Sequence, residues 1–281
     1  MQTEILKQPY KRSFKYSTRQ FLEIGRMFTK RIFLAEEEAC EEHFVSNTER
    51  LTSGQYQVRL PFNDKQNLLG SSYDAAKRRF FMFERKLERN LELKDQYHQF
   101  MKIYLDLNHM ELDESDTNLG YYIPHHCVLK ITELIATLRV VFDASTKSKS
   151  GISLHDALMT GPVIQPTIFQ LVLRFRQHQI VLTADIEKMF CQFAVHPDDS
   201  QYQRILWRFD KNEFLKSYRL NTVTYGTSAA PFLSTRCLKR LADDERTFFP
   251  RASSVLENDF YVDDLSTGTD TLDEAKELKE I

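Results

Sequence analysis

The sequence predicts an α+β fold in which mostly helical segments precede an antiparallel sheet with helices. Up to about residue 107 the apolar residues recur mainly at helical spacing, whereas from Tyr121 onward short alternating or apolar runs are typical of strands. Residues 258–266 (NDFYVDDLS) add the alternation of a short β-hairpin, with Asp263 and Asp264 at its bend. The predicted class is α+β because a helical first part is followed by a strand-rich second part.

The amino-acid composition excludes several classes of protein. The chain has 281 residues, of which 42% are hydrophobic and 28% charged, so it is globular and long enough for one large domain or two subdomains. No apolar run approaches the ~20 residues of a membrane span, and the basic N-terminus lacks the apolar stretch of a secretory signal. The four cysteines lack C-x-x-C spacing, so neither a zinc module nor a disulfide scaffold is indicated. We expect an intracellular setting and no membrane.

Charge is uneven along the chain. The net charge of −2 argues against a protein that simply coats nucleic acid, because neutralising phosphates needs a cationic surface. Between residues 125 and 180, however, six basic residues stand against three acidic ones, which favours a locally basic face there. Residues 1–33 are basic and aromatic with weak helical spacing, and the sequence assigns them no role.

The first half of the chain is predicted to form helices and one short strand. Residues 35–50 predict a charged helix; its Cys40 and His43 have metal-ligand spacing but lack further ligands nearby, so a solvated face is the favoured interpretation. Residues 55–60 predict a strand. From about Tyr73 to Asn90 a helix mixes many cations with apolar residues, and it either faces a nucleic acid or, more commonly for such helices, covers a core. A further helix covers about residues 94–107.

The second half alternates strands with helices. Strands are predicted over residues 123–130, 137–142, 180–185, 204–209 and 214–223. Turns are predicted at residues 143–146, 195–199 and 224–227. Helices are predicted after Pro166 with Ile168, Leu171, Val172 and Phe175 on one face, over residues 229–248, and over residues 270–280.

Three carboxylates carry the chemistry that this pattern suggests. A buried strand that ends in Asp185 leaves a carboxylate that needs a basic neighbour or a metal ion. The hairpin supplies Asp263 and Asp264, although Asp is also a common turn residue that bonds its own backbone. If one sheet edge gathers all three, they suit hard divalent ions that also bind substrate phosphates. The pattern then predicts phosphoryl transfer on a nucleotide, with two ions.

Several longer sequence motifs resemble those of a known family. Tyr261-Val262-Asp263-Asp264 looks like the YxDD box of reverse transcriptases, and Asp185 with Phe190 five residues on resembles their first catalytic motif. From near Ala35 onward the chain is similar to the polymerase region of Pao/BEL long-terminal-repeat retrotransposon polyproteins. The motifs that carry this resemblance are YYIPHHCVLK (121–130), LRVVFDAST (138–146), ADIEKMF (184–190), VHPDDSQYQRILWRF (195–209), TYGTSAAPFLSTRCL (224–238) and FYVDD (260–264).

The resemblance implies a right-hand polymerase fold with fingers and an incomplete palm. It divides the chain into an unassigned segment 1–33, a mostly helical polyprotein segment 34–91, and reverse transcriptase fingers and palm over 92–281. It implies an enzyme that copies RNA or DNA templates from a primer with deoxynucleoside triphosphates. The implied compartment is a cytoplasmic virus-like particle or the nucleus.

The resemblance also assigns roles to single residues. Asp185 and Asp263 would hold two Mg²⁺ ions, with Mn²⁺ as an alternative, while Asp264 supports them and the backbone carbonyl of Ile186 completes the metal shell. The remaining residues would contact the incoming nucleotide: Arg139 its triphosphate, Phe190 its sugar as a gate against the 2′-hydroxyl, and Tyr225 and Gly226 the nucleotide and template strand. From its own segment, Arg139 reads instead as a surface charge on an edge strand.

Some positions depart from the family pattern. Thr137 stands where family members often carry Lys, which removes one expected phosphate contact, and Cys127 replaces a common Pro. The last palm strand, primer grip, thumb, RNase H and integrase portions are expected to be missing after the hairpin, which leaves an exposed sheet edge. Two other readings remain open: a catalytically silent remnant that binds nucleic acid weakly, and an unrelated metal-dependent phosphotransferase.

Overall fold

The computed structural model describes residues 4–7, 32–115, 120–131 and 136–280, with the backbone alone at 4–7, 130–131 and 136–137. By their internal contacts the residues divide into two compact units. The hairpin unit comprises Met1–Ala35, Pro162–Met189 and Ser234–Ile281, and the large unit comprises Glu36–Gly161 and Phe190–Leu233. The predicted divisions at residues 33 and 91 stay predictions.

The described helices are α1 (Ala35–Asn47), α2 (Tyr73–Glu88), α3 (Leu91–Asp106), α4 (Leu154–Ala157), α5 (Ile168–Phe175), α6 (Pro197–Ser200), α7 (Ala230–Glu245), α8 (Pro250–Asn258) and α9 (Leu272–Glu280). The described strands are β1 (Glu4–Lys7), β2 (Glu49–Arg50), β3 (Tyr56–Val58), β4 (Met110–Leu112), β5 (His125–Ile131), β6 (Ala136–Phe142), β7 (Ile180–Asp185), β8 (Ala194–Val195), β9 (Arg204–Trp207), β10 (Lys216–Leu220), β11 (Phe260–Tyr261) and β12 (Asp264–Thr269).

The hairpin unit is built on a four-stranded antiparallel sheet in the order β1-β7-β12-β11. Its central strand β7 (IVLTAD) is rich in apolar and β-branched residues, which favours a strand buried on both faces. Ile180 and Leu182 form a buried cluster with Ala275 of α9. This packing fixes β7 against a helix and leaves its C-terminal residue, Asp185, exposed.

The large unit has a core of aromatic side chains. Helix α2 buries Phe80 and Phe83, and α3 buries Tyr97, where Phe80 and Tyr97 contact the fully buried Trp207 of β9. The hydroxyl of Tyr97 and Nδ1 of His125 are 2.6 Å apart, and His125 Nε2 lies 2.9 Å from the carbonyl oxygen of Leu206. Burial lowers the pKa of His125 to about 4, so this ring is neutral in the core.

The described residues confirm the predicted α+β class and most of its elements. Helix α8 is an addition, because Pro250 lies beyond the end of α7 and also begins a further helix that the sequence did not predict. The predicted turn at 195–199 is wrong in detail, since Pro197 starts the short helix α6 there. The residues predicted to share one face of α5 are not buried alike: Leu171 is buried, while Ile168 and Val172 are exposed.

No helix in the described ranges combines the length and hydropathy that a membrane crossing requires. Residues 1–3 and 8–31, and therefore most of the unassigned N-terminal segment, lie outside the described residues. Its residues 4–7 form β1, which pairs antiparallel with residues 180–183 of β7. The sequence did not predict this strand.

Candidate active site

Strands β7 and β12 bring two of the predicted carboxylates opposite each other. In the antiparallel register Asp264 pairs with Asp185, and both residues are exposed. Directly opposed residues lie on the same face of the sheet with Cβ atoms about 4.5 to 5.5 Å apart. Like charges in this arrangement destabilise the strand pair. The stability of the sheet therefore gives no reason for two aspartates here.

The third carboxylate lies in the turn of the hairpin. Val262 and Asp263 connect β11 to β12, and Tyr261 pairs with Asp264 across the turn. Asp263 therefore lies at the bend as predicted, whereas Asp264 is already the first residue of a strand. The backbone N–H of Ile186 donates a 3.0 Å hydrogen bond to the carbonyl oxygen of Asp263. This bond ties the turn to the end of β7.

Val262 holds a strained backbone conformation. Its φ is +56°, a left-handed value that a β-branched residue rarely adopts. Its N–H donates a 2.9 Å hydrogen bond to the side-chain Oε1 of Gln165. Strain of this kind persists where neighbouring contacts hold it and is common at functional sites.

Within the described residues, the charges that act on Asp264 are those of the neighbouring carboxylates. Partial burial raises the pKa of Asp264, and the negative charges of Asp263 and Asp185 raise it further. A neighbouring cation would lower this pKa instead. The local field therefore favours binding of a cation or of a proton.

The donor set suits a hard divalent ion, because all the side-chain ligands are carboxylate oxygens. Among the described residues, however, no three His, Cys, Asp or Glu side chains are gathered closely enough to hold a metal ion. The backbone places Asp185 and Asp264 in register. The predicted ion site stays a proposal.

Two residues that the sequence left unassigned support the hairpin. Besides Gln165, Arg174 of α5 forms an ion pair with Asp259, at 3.3 Å between Nε and Oδ1, and donates to the carbonyl oxygen of Asn258. Burial raises the pKa of Asp259, while a hydrogen bond from Thr267 and the charge of Arg174 act against it. These contacts span more than 80 positions, so no local sequence signal indicates them.

The same side chains line a polar cavity in the hairpin unit. Its volume is about 410 Å³, and it is bounded by residues of α5, α7 and α8 and by the segment that leads into α5. Gln165, Arg174 and Asn258 are among its lining residues. The side chains that hold the hairpin are therefore themselves open to this cavity.

In the large unit, three of the predicted nucleotide contacts lie together. The ring of Tyr225 is 6.2 Å from that of Phe190 and 5.1 Å from that of Phe142, measured between centroids. Gly226 has φ +89°, and a Cβ there would lie 2.2 Å from the carbonyl oxygen of Phe142. His155 Nε2 lies 2.6 Å from the carbonyl oxygen of Gly226. Glycine is needed at this position because the backbone of β6 approaches so closely.

Arg139 lies apart from that group, exposed on β6 opposite Val128 of β5. Within the described residues its guanidinium has no ion-pair partner, which fits either a surface charge or a contact with triphosphate. The side chain of Thr137 lies outside the described residues, so the effect of its replacing a lysine stays a prediction.

The arrangement of small antiparallel sheets and helices belongs to the fold class of reverse transcriptases. One solved structure of a foamy virus enzyme supports this fold assignment. The prototype foamy virus protease-reverse transcriptase CSH mutant matches with a TM-score of 0.51 and 15% identity, over 68% of this chain and 22% of that chain.

Two further foamy viral structures match less closely. The protease-reverse transcriptase in complex with RNA/DNA hybrid has a TM-score of 0.49 and 16% identity, covering 68% of this chain and 22% of that chain. The dRH form in complex with double-stranded DNA has a TM-score of 0.44 and 16% identity, covering 68% and 28%. No family model and no curated protein matches the chain. The chain spans about a quarter of the length of these structures. The likeness to the CSH mutant establishes the fold alone.

Proposed function

We propose that this chain carries the nucleotidyl-transfer centre of an RNA-directed and DNA-directed DNA polymerase, a reverse transcriptase of the Pao/BEL retrotransposon type. The observation that carries the proposal is the pairing of Asp264 with Asp185 beside the turn residue Asp263. Opposed like charges weaken a sheet, so their presence fits a group that acts on cations and phosphates. The shared α+β fold and the YVDD motif also support a polymerase.

In this proposal Asp185 and Asp263 would hold two Mg²⁺ ions, Asp264 would strengthen the negative field, and the carbonyl of Ile186 would add a further oxygen ligand. The bound ions would lower the pKa of the attacking hydroxyl and stabilise the leaving pyrophosphate. The primer 3′-hydroxyl forms the new P–O bond at the α-phosphate while the bond to the β-phosphate breaks. The chain itself supplies no nucleophile, so its carboxylates act through position and charge.

The nucleotide contacts follow from the same resemblance. The guanidinium of Arg139 would bind the triphosphate, where its fork makes paired hydrogen bonds that a lysine cannot make. Phe190 would pack against the sugar, and Tyr225 and Gly226 would line the base and the template strand. The partners are a primer with an RNA or DNA template, deoxynucleoside triphosphates, and downstream thumb and RNase H portions of the polyprotein.

Primer extension on an RNA template with Mg²⁺ and deoxynucleotides tests the proposal. We expect the wild-type chain to extend a labelled primer, to stop when EDTA is added, and to resume when Mg²⁺ or Mn²⁺ is restored. Both this chain and a form fused to a thumb portion should be tested, because a thumb would hold the primer-template.

A second candidate is a silent remnant that binds nucleic acid without chemistry. It is favoured by one observation: in the described part of the chain no three acidic side chains close around an ion. Absence of extension by both forms of the chain, with the fold intact by circular dichroism, would select this candidate and reject the polymerase.

Phe190 offers a test of sugar selection. We expect Phe190→Val to lower the preference for deoxynucleotides over ribonucleotides about 10- to 100-fold, the range that a lost steric contact in an apolar pocket gives. The measurement is the ratio of kcat/KM for dATP and ATP in single-nucleotide extension. Phe190→Tyr keeps the ring and should keep the ratio. An unchanged ratio in Phe190→Val would remove Phe190 from the sugar contact.

A further inference from the structure

Helix α2 is divided into an apolar face and a cationic face. Its buried residues, Ala76, Phe80, Phe83 and Leu87, recur at helical spacing and face the aromatic core. On the opposite side Arg78, Met82, Arg85 and Arg89 recur at the same spacing and are all exposed. We name these four residues the cation stripe; Arg89 is the C-terminal cap residue and continues the helical backbone. Lys77 and Lys86, also exposed, flank the stripe.

The acidic residues of α2 form no ion pair with this face in the described residues, although the charge of Asp74 does act on Arg78 and Lys77. Each acidic residue instead binds a cation from another segment: Asp74 binds Lys149 at 2.6 Å, Glu84 binds Arg208 at 2.7 Å, and Glu88 binds Lys94 at 2.7 Å.

The cations of the face lack a directly bonded counter-charge within the described part of the chain. In the described residues, Lys77, Arg78, Arg85, Lys86 and Arg89 form no ion pair. Arg85 donates only to the carbonyl oxygen of Phe81 in its own helix, and Lys77 lies 5.6 Å from the ring of Tyr73. In a chain whose net charge is −2, this is a concentrated positive surface.

We infer that the cation stripe of α2 is a sequence-independent binding surface for the phosphodiester backbone of a nucleic acid. From Arg78 to Arg89 the helix rises about 16 Å, a length that spans about five phosphates on each strand of a duplex. None of the residues assigned to nucleotidyl transfer belongs to α2. The inference therefore goes beyond the proposed polymerase activity and stands without it.

Charge and shape favour nucleic acid over an acidic protein partner. Guanidinium forks bind phosphate oxygens in pairs, and three of the five cations are arginines. A stable protein interface needs a desolvated apolar centre. On the cation stripe Met82, at 67% exposure, is the sole apolar side chain. The helix is held rigidly by its buried face, so the stripe is pre-arranged for a ligand.

Removal of the stripe charges tests the inference. The triple variant Arg78→Gln, Arg85→Gln, Arg89→Gln keeps good helix formers at exposed positions, so the fold should persist. The probe is a fluorescently labelled RNA of mixed sequence and a matched DNA duplex, measured by anisotropy across salt concentrations. We expect affinity for both to fall about 10-fold or more, and the slope of log affinity against log salt for the duplex to decrease by about 3.

A matched control separates the effect of this surface from the effect of a lower net charge. The triple variant Lys65→Gln, Lys102→Gln, Lys211→Gln removes three exposed lysines outside α2 and should leave affinity and slope unchanged. A third variant, Arg78→Lys, Arg85→Lys, Arg89→Lys, keeps the charge and should keep the salt slope.

Three results would overturn the inference. They are equal losses in both glutamine triples, no loss in the α2 triple, and a labelled poly-glutamate peptide that binds the stripe as tightly as RNA. Primer extension on a short primer-template at saturating concentration should survive in the α2 triple. A chain without extension that still binds through the stripe would reject the polymerase and keep this inference.

Discussion

Primer extension is expected to fall at least about 1,000-fold when Asp263 and Asp264 are both replaced by asparagine, because the charge that stabilises the transition state is lost. The fold should survive the change. Asn has the size of Asp, and the hydrogen bond from Ile186 to residue 263 uses the backbone carbonyl rather than the side chain. Extension by the double variant at the wild-type rate would remove these carboxylates from the mechanism.

The same cluster predicts that activity and stability change in opposite directions. The pKa of Asp264 is raised in the folded chain, above about 3.9 in the unfolded chain, so the folded state binds this proton more tightly. The stability that this proton contributes is fully present at pH values below the pKa of Asp264 in the unfolded chain. It is lost as the pH rises through the pKa of Asp264 in the folded chain. In EDTA, Asp264→Asn should therefore stabilise the chain by a few tenths of a kcal/mol at pH 7 and by nothing at pH 3.

Thermal unfolding at the two pH values measures this difference. Asp64→Asn, at an exposed carboxylate outside the cluster, is the control and should not show the same dependence on pH. Mn²⁺ should raise the melting temperature of the wild-type chain at pH 7 but not that of Asp185→Asn. A destabilised Asp264→Asn variant at pH 7 would contradict the repulsion that the register of β7 and β12 implies.

Gly226→Ala is expected to lower the free energy of unfolding by about 3 kcal/mol or more, because strain at positive φ adds to a steric clash. At φ +89° the new Cβ would lie 2.2 Å from the carbonyl oxygen of Phe142, which is backbone and cannot rotate away. Relief of the clash would shift the turn that carries Tyr225, so nucleotide binding should weaken as well.

Gly151→Ala is the matched control for this substitution. Gly151 has φ +82° and nothing within 4 Å of the Cβ position, so alanine there has the conformational cost alone, about 1 to 2 kcal/mol. Chemical denaturation of both variants gives the comparison. Equal losses would show that β6 and the turn at Gly226 do not approach each other as closely as described.

Periodic patterns predicted the elements whose burial is regular. Helix α2 buries residues at i, i+4, i+7 and i+11, and β7 is an apolar run between polar segments, so both were predicted nearly to their observed ends. Helix α5 shows where this reasoning stops. It has apolar residues almost all around, and periodicity alone did not reveal that Ile168 and Val172 are exposed while Leu171 is buried.

The sequence alone determined the α+β class and the positions of β7 and the hairpin, and it predicted the candidate carboxylates, because apolar spacing and turn chemistry are local properties of the chain. Tertiary structure decided which residues meet. The pairing of Asp264 with Asp185, the hold of Gln165 on Val262 and the close approach of Phe142 to Gly226 each join segments more than 75 positions apart. Such contacts depend on register and packing in three dimensions, and no local pattern encodes them.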